Sequence, residues 1–172
     1  GVHETADLGP VISEKQQQRI AKSVDTAIQN GARVLCGGSI PNNKELRGYY
    51  YPPTLIDNVE PTDEISCKEL FGPVATIHSV KNLQEAIAFA NDTEYGLTAA
   101  IHTKNIDQAM TFAKKVRAGV ANINLGTFGS EPHMPFGGFG SSGNGTREPG
   151  LESLDVYSEL KNISYLVRES IT

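Results

Sequence analysis

The chain has little of what metal and disulfide chemistry require. It holds two cysteines, Cys36 and Cys67, far apart and without a Cys-x-x-Cys pair. Its four histidines, His3, His78, His102 and His133, are scattered, with no pair at helical spacing. Neither pattern matches the clustered ligands of a metal site, so no metal is expected. A soluble composition also disfavours a lone disulfide between the two cysteines. Positive charge is short: 15 Lys and Arg stand against 20 Asp and Glu, for a net charge of −5. That balance argues against nucleic acid and against an anionic membrane as partners. No apolar run approaches the roughly 20 residues that cross a bilayer. Residues 1–7 show neither a basic region nor an apolar core, so no signal peptide is read and a cytoplasmic location is expected. An initiator Met is lacking too, so the chain is expected to be processed or to be a piece of a longer protein.

What is present describes a folded domain. Hydrophobic residues make up 38% and charged residues 20% of 172 positions, enough for a real core in one unit of ordinary size. Ser13-Glu14-Lys15-Gln16 fits a capping box, in which Ser and Gln satisfy each other's orphan backbone donors. Ile20, Val24, Ala27 and Ile28 then form one apolar stripe, and Asn30-Gly31 ends the helix in a left-handed cap. Residues 33–36 read as a short strand, 39–47 as a polar loop, and 54–59 as a strand kept near an edge by Pro52 and Pro53. Residues 74–80 form a β-branched strand. Asn82 caps a helix carrying Ile87, Phe89 and Ala90, and 97–102 is a strand. Asn105 caps a helix whose Ala109, Phe112, Ala113 and Val116 share a face and which Gly119 stops, and 120–125 is again a strand.

This alternation predicts right-handed crossovers and an α/β fold: a mainly parallel, twisted sheet with helices on both faces. A short helix over 151–156 follows. A half-buried strand, in which Ile163, Tyr165 and Val167 alternate with polar neighbours, closes the chain. With no evident partner here, it is expected to pair with another segment or subunit.

Two segments carry the chemistry. In Glu69-Leu70-Phe71-Gly72-Pro73-Val74, a carboxylate and a ring two positions apart point the same way from an extended stretch. Such a pair suits a ribose, whose hydroxyls a carboxylate accepts, and a flat ring beside it. A plain Gly-Pro turn entering a strand is the alternative. In residues 135–148, glycines stand at 137, 138, 140, 143 and 145. That density marks a shaped loop where backbone approaches something closely, or else simply a long loop. Gly138-x-Gly140-x-x-Gly143 spells a dinucleotide fingerprint but lacks its helix and its distant acidic residue, so that reading is rejected. Lys68 beside Cys67 is thin support for a nucleophile, and both Cys67 and Cys36 are expected to be inert thiols. His133 is either an acid, a base or a shape element on its loop, or a histidine without chemistry. Arg147-Glu148 is expected to be a local ion pair steadying the loop.

These motifs together resemble the NAD(P)-dependent aldehyde dehydrogenases. Glu69-Leu70-Phe71-Gly72-Pro73-Val74 resembles one family motif, and Pro135-Phe136-Gly137-Gly138 through Arg147-Glu148 resembles the glycine-rich signature of its C-terminal part. Leu8-Gly9-Pro10-Val11-Ile12-Ser13, Gly31-Ala32-Arg33-Val34-Leu35-Cys36-Gly37-Gly38, Tyr51-Pro52-Pro53-Thr54 and Asn91-Asp92-Thr93-Glu94-Tyr95-Gly96-Leu97 are similar to it as well, in family order. The resemblance implies oxidation of an aldehyde to a carboxylic acid, with hydride passed to NAD or NADP. It implies that Glu69 binds the nicotinamide ribose, that Phe71 packs beside the ring and that Phe136 lines the aldehyde tunnel. Residues 126–134, with Phe128, Glu131 and His133, would shape the substrate end; Gly129 to Met134 look closest to enzymes of carboxylate-bearing semialdehydes. Residues 1–150 would be part of a catalytic domain. Residues 151–172 would hold the terminal helix and a strand that extends a partner subunit's sheet through 157–167, giving a homo-oligomer. Gly140 departs from the family, which usually has lysine there. The family's nucleophilic cysteine, general-base glutamate and cofactor-binding domain match nothing here, and no catalytic residue is assigned to this chain. It is expected to be the C-terminal portion of the enzyme, inactive alone and needing a missing N-terminal part. A subunit of a split enzyme, or a non-enzymatic module that keeps the fold, are the rival readings.

Overall fold

A computed structural model describes residues 6–42 and 48–166. His3, the start of the chain, most of the polar loop 39–47 and Val167 lie outside the described residues. The chain divides into two compact units, one up to Phe89 and one from Ala90 onward.

The first unit opens with helix α1, Glu14–Gln29. Ser13 caps it, its hydroxyl accepting the Gln16 N–H at 3.2 Å. The amide nitrogen of Gln16 reaches away to the carbonyl of Leu70, a role the capping-box pattern does not anticipate. The helix ends as expected at Gly31, with φ +101. Gly31 N–H bonds the Ile28 carbonyl at 3.0 Å and Ala32 N–H that of Ala27 at 2.9 Å, which together close a Schellman cap.

Strands β1 (Arg33–Cys36), β2 (Thr54–Asp57) and β3 (Val74–Thr76) form one sheet in that order. β1 runs antiparallel to β2 with a bulge between Val34 and Cys36, and β2 runs parallel to β3. A four-residue helix α2, Glu64–Cys67, sits between β2 and β3 and buries Ile65. Nothing in the periodicity announces it, because one turn is too short to show a period. Thr54 and Ile56 face inward, and Ile56 joins Ile20, Val24, Ala27, Tyr51, Val59, Ile65 and Leu70 in the core. The cross-strand row Cys36–Leu55–Ala75 marks the other face, where Cys36 and Ala75 are exposed.

Helix α3, Leu83–Asn91, has Asn82 at its start, whose side chain accepts the Glu85 N–H at 2.9 Å. In the second unit, β4 (Thr98–Ile101), α4 (Ile106–Lys115) and β5 (Val120–Ile123) make a crossover with β4 parallel to β5. Asn105 caps α4 by accepting from Asp107 and Gln108 N–H. The helix ends at Lys115, before Gly119. Gly119 serves close packing: a Cβ there would stand 1.6 Å from the Gly137 carbonyl oxygen. Asn91 fastens the turn after α4, donating to the Lys115 carbonyl at 2.9 Å and accepting the Arg117 N–H at 2.6 Å. A short helix α5, Ser153–Val156, follows the glycine-rich loop.

The α/β class holds, and β2–β3 and β4–β5 pair in parallel, whereas β1 pairs with β2 antiparallel; the sheet of the first unit has three strands and that of the second has two. Apolar period identifies a strand; its neighbour is chosen by long-range packing, and sequential strands are adjacent only about two times in three. The strands are also shorter than the apolar runs. Asn58 takes φ +53 directly after β2 and Asn124 takes φ +57 directly after β5, which ends pairing there. Residues 157–166 carry neither helix nor strand, and Leu160, Ile163, Tyr165 and Leu166 are exposed. No helix among the described residues is long and apolar enough to cross a membrane.

Candidate functional site

Residues 69–71 alternate outward, inward, outward. Glu69 is exposed, Leu70 is buried in the core, and the Phe71 ring is 72% exposed. The stretch is not extended throughout, as the sequence predicts, because Phe71 takes φ +53. A left-handed backbone costs a side-chain-bearing residue about 1–2 kcal/mol, so the surroundings must impose it. Helix α1 does so. The Gln16 amide nitrogen donates to the Leu70 carbonyl and, at 3.4 Å, to that of Phe71. The Arg19 guanidinium donates to the Glu69 carbonyl at 3.2 Å. Three successive carbonyls are thus held by two side chains on one face of one helix. The following Gly72 presses on the same face: a Cβ there would stand 2.3 Å from Ile20 Cδ1. A shallow groove of about 400 Å³ along β2 and β3 reaches Gly72 and Pro73.

The sequence marks Gln16 only as a capping-box residue and does not single out Arg19, so neither contact to residues 69–71 is foreseen. The available signal was polar residues one turn before, and next to, Ile20 of the apolar stripe. Gln17 shows the same habit, buried and donating to the Tyr50 carbonyl at 2.7 Å.

The substrate-end residues lie in the second unit, on loops leaving the carboxyl end of β5, where open α/β sheets place their ligands. Asn124 and Thr103 exchange side-chain and backbone hydrogen bonds at 2.9 and 3.0 Å and fix the strand end. The Asn122 amide donates to the Gly126 carbonyl at 2.6 Å. The Phe128 ring lies against Gly126, where a Cβ would meet Cε1 at 2.2 Å. Its outer face is open, leaving the side chain 86% exposed. Glu131 and His133 are exposed, with a turn between them closed by Met134 N–H on the Glu131 carbonyl at 3.0 Å. Phe136 is half-buried, and its carbonyl accepts the Glu148 N–H at 2.9 Å.

One expectation changes. Among the described residues no ion pair joins Arg147 to Glu148. Adjacent side chains diverge from the backbone; the Arg147 guanidinium lies 5.0 Å over the Phe139 ring, and the Glu148 carboxylate takes the Tyr157 hydroxyl, raising its pKa. The glycine at 140 also has a reason: φ is +56, and a Cβ would stand 2.3 Å from the Glu94 carbonyl oxygen. Both cysteines are free. Cys36 is exposed, and Cys67 is half-buried with its sulfur 3.0 Å from the Pro61 carbonyl oxygen. Of the predicted site residues, Glu69 and Phe71 share one turn of the first unit. Phe128, Glu131, His133 and Phe136 share neighbouring loops of the second.

A second hollow, about 440 Å³, lies beside His78 in the first unit. His78 packs on Phe89 with ring centroids 4.5 Å apart, and its Nε2 lies 3.2 Å from Thr76 Oγ1. These contacts engage one ring nitrogen and one face of the imidazole, which gives it a packing role.

Known proteins resemble this chain along most of its length. A family model described as the aldehyde dehydrogenase family matches residues 1–163. The chain is 41% identical over 157 residues to the benzaldehyde dehydrogenase [NAD(+)] of Pseudomonas putida, covering 91% of this chain and 31% of that protein. It is 37% identical to the alpha-ketoglutarate semialdehyde dehydrogenase of Haloferax volcanii, covering 91% of this chain and 33% of that one. A crystal structure of betaine aldehyde dehydrogenase from Staphylococcus aureus in complex with NAD+ superposes with a TM-score of 0.84 at 36% identity, over 90% of this chain and 30% of that one. The chain therefore spans about a third of the length of the relatives it matches.

Proposed function

Because the chain belongs to the aldehyde dehydrogenase family, we propose that it supplies part of the site where an aldehyde is oxidised to a carboxylic acid with NAD+ or NADP+. The observation that carries this reading is Phe71: an exposed ring on a strained turn, gripped from behind by Gln16 and Arg19. A surface phenylalanine gains nothing for the core, and strain of this kind persists where function uses it. The residues present fit the coenzyme: an exposed carboxylate suits the two hydroxyls of the nicotinamide ribose, and an exposed ring suits the flat face beside it. The coenzyme, when bound, accepts hydride from the aldehyde carbon. In this reading Glu69 orients the ribose, Phe71 limits where the nicotinamide ring settles, and Phe136 lines the approach of the aldehyde. Phe128, Glu131 and His133 shape its far end, with a carboxylate-bearing semialdehyde as the substrate class.

The nucleophile, the general base and the rest of the coenzyme site come, in this proposal, from sequence outside these 172 residues. Relatives that are about three times as long support it. Residues 157–167 are proposed to add a strand to a second copy's sheet, which their exposed Leu160, Ile163 and Tyr165 support.

The test is steady-state kinetics of the whole natural protein carrying Glu69→Gln or Phe71→Ala. Each lowers kcat with NAD+ by roughly tenfold, the scale of one lost orienting contact to a charged group, about 1.5 kcal/mol. The KM for aldehyde stays as it was. Unchanged NADH production in both variants would remove the assignment.

A further inference from the structure

The loop that carries Phe136 is held by backbone from residues 94–96. Phe139 N–H donates to the Gly96 carbonyl at 3.0 Å and Ser141 N–H to the Glu94 carbonyl at 2.8 Å. Gly119 N–H also donates to the Gly96 carbonyl at 3.0 Å. In return, Gly96 N–H donates to the Ser142 hydroxyl at 3.1 Å. The contact leaves no room for side chains. A Cβ would stand 2.3 Å from the Glu94 oxygen at Gly140, 2.7 Å from the Arg117 oxygen at Gly96, and 1.6 Å from the Gly137 oxygen at Gly119. On the far side, Glu148 N–H holds the Phe136 carbonyl and Arg147 covers the Phe139 ring.

Phe136 therefore stands at one end of a short rigid span whose other end is seated on residues 94–96. Backbone groups make most of the seat, and two side chains add to it: the Ser141 hydroxyl donates to the Glu94 carboxylate at 3.4 Å, and the Ser142 hydroxyl accepts an N–H that no strand or helix satisfies. Losing that hydroxyl leaves the Gly96 donor unmet and loosens the span through Phe139, three residues from Phe136.

We propose that Ser142, seated against Gly96, is a positioning residue that sets how far the Phe136 ring reaches and so which aldehydes fit. This rests on the reading of Phe136 as a wall of the aldehyde approach. It adds that the wall's depth is fixed from outside the site, by a side chain that touches neither substrate nor coenzyme.

The experiment uses the whole natural protein, a series of straight-chain aldehydes of increasing length, and the variants Ser142→Ala, Ser142→Thr and Phe136→Ala. Amide hydrogen exchange is read at Phe139 and Ser141, the donors into the seat. Ser142→Ala speeds exchange at both amides, raises the aldehyde KM roughly fivefold, shifts the preferred chain length, and leaves the KM for NAD+ unchanged. Ser142→Thr, which keeps the hydroxyl, restores the original length preference. If Ser142→Ala does not accumulate, Ser142→Cys, a weaker acceptor of similar size, gives the same shifts at smaller amplitude. Unchanged length preference in the Ser142 variants, with Phe136→Ala altering it, overturns the positioning role alone. So does an equal rise in both KM values, which is the mark of general loosening. Unchanged aldehyde kinetics in Phe136→Ala is a separate result: it removes the underlying reading and the proposal with it.

Discussion

At the scale of single residues, two side chains trade stability for placement. Phe71 holds φ +53 with its ring mostly in solvent, so little burial compensates the strain. Replacing it with glycine, which accepts that backbone freely, is expected to leave stability unchanged or to raise it by up to about 1 kcal/mol. Turnover of the whole protein should fall at the same time. Denaturant midpoints set beside kcat check this, and a marked loss of stability would mean the ring packs on something. Tyr51 is the second case. It is 4% exposed, and its hydroxyl has no hydrogen-bonding partner among the described residues. Burial, with Asp25 adding negative charge nearby, pushes its pKa up to about 12. The protonated form is then favoured in the fold relative to the unfolded chain, which releases its proton near pH 10. Stability from this group is whole below pH 10 and is lost between about pH 10 and 12. Tyr51→Phe is expected to fold as well as the parent or better, because it removes an unmet polar group. Its thermal midpoint should fall less than the parent's over that alkaline window.

At the scale of elements, local chemistry and long-range packing divide the work. Helices α1 and α4 were legible because Ser13, Gly31 and Asn105 declare their ends and the apolar stripe declares their inner face. Ser13→Ala or Asn105→Ala should each cost about 1 kcal/mol, read as a shift in the denaturant midpoint. A larger loss after Ser13→Ala would show that the cap also steadies the 69–71 turn through Gln16. Strand existence was legible too, but partners and ends were not. β3 is three residues long, although its apolar run continues, and its pairing with β2 stops at Ile56–Thr76. The candidate site follows the same division. Glu69, Phe71 and Phe136 could be named from motif, whereas the contacts of Gln16, Arg19 and Ser142 could not. Their roles are hydrogen bonds to backbone 50 or so positions away, and no spacing rule reaches that far. The supposed Arg147–Glu148 pair failed for the converse reason: neighbours in sequence seldom face each other.

At the scale of the whole molecule, the chain matches its family along nearly all its length while spanning about a third of its relatives. The 172 residues alone are expected to give no aldehyde-dependent NADH formation, because a site without nucleophile and base retains little chemistry. Turnover that survives replacement of both Cys36 and Cys67 by serine would overturn that view. Turnover lost with Cys67→Ser would make Cys67 the nucleophile. The sequence by itself determined the family and the capped helices, because caps, periods and motifs act over a few positions. Only the tertiary structure decided which strands pair within each unit, that Phe71 is strained and held from α1, and that the glycine-rich loop is seated on residues 94–96. Each of those depends on backbone groups brought together from distant parts of the chain, where side-chain pattern carries no record of the partner.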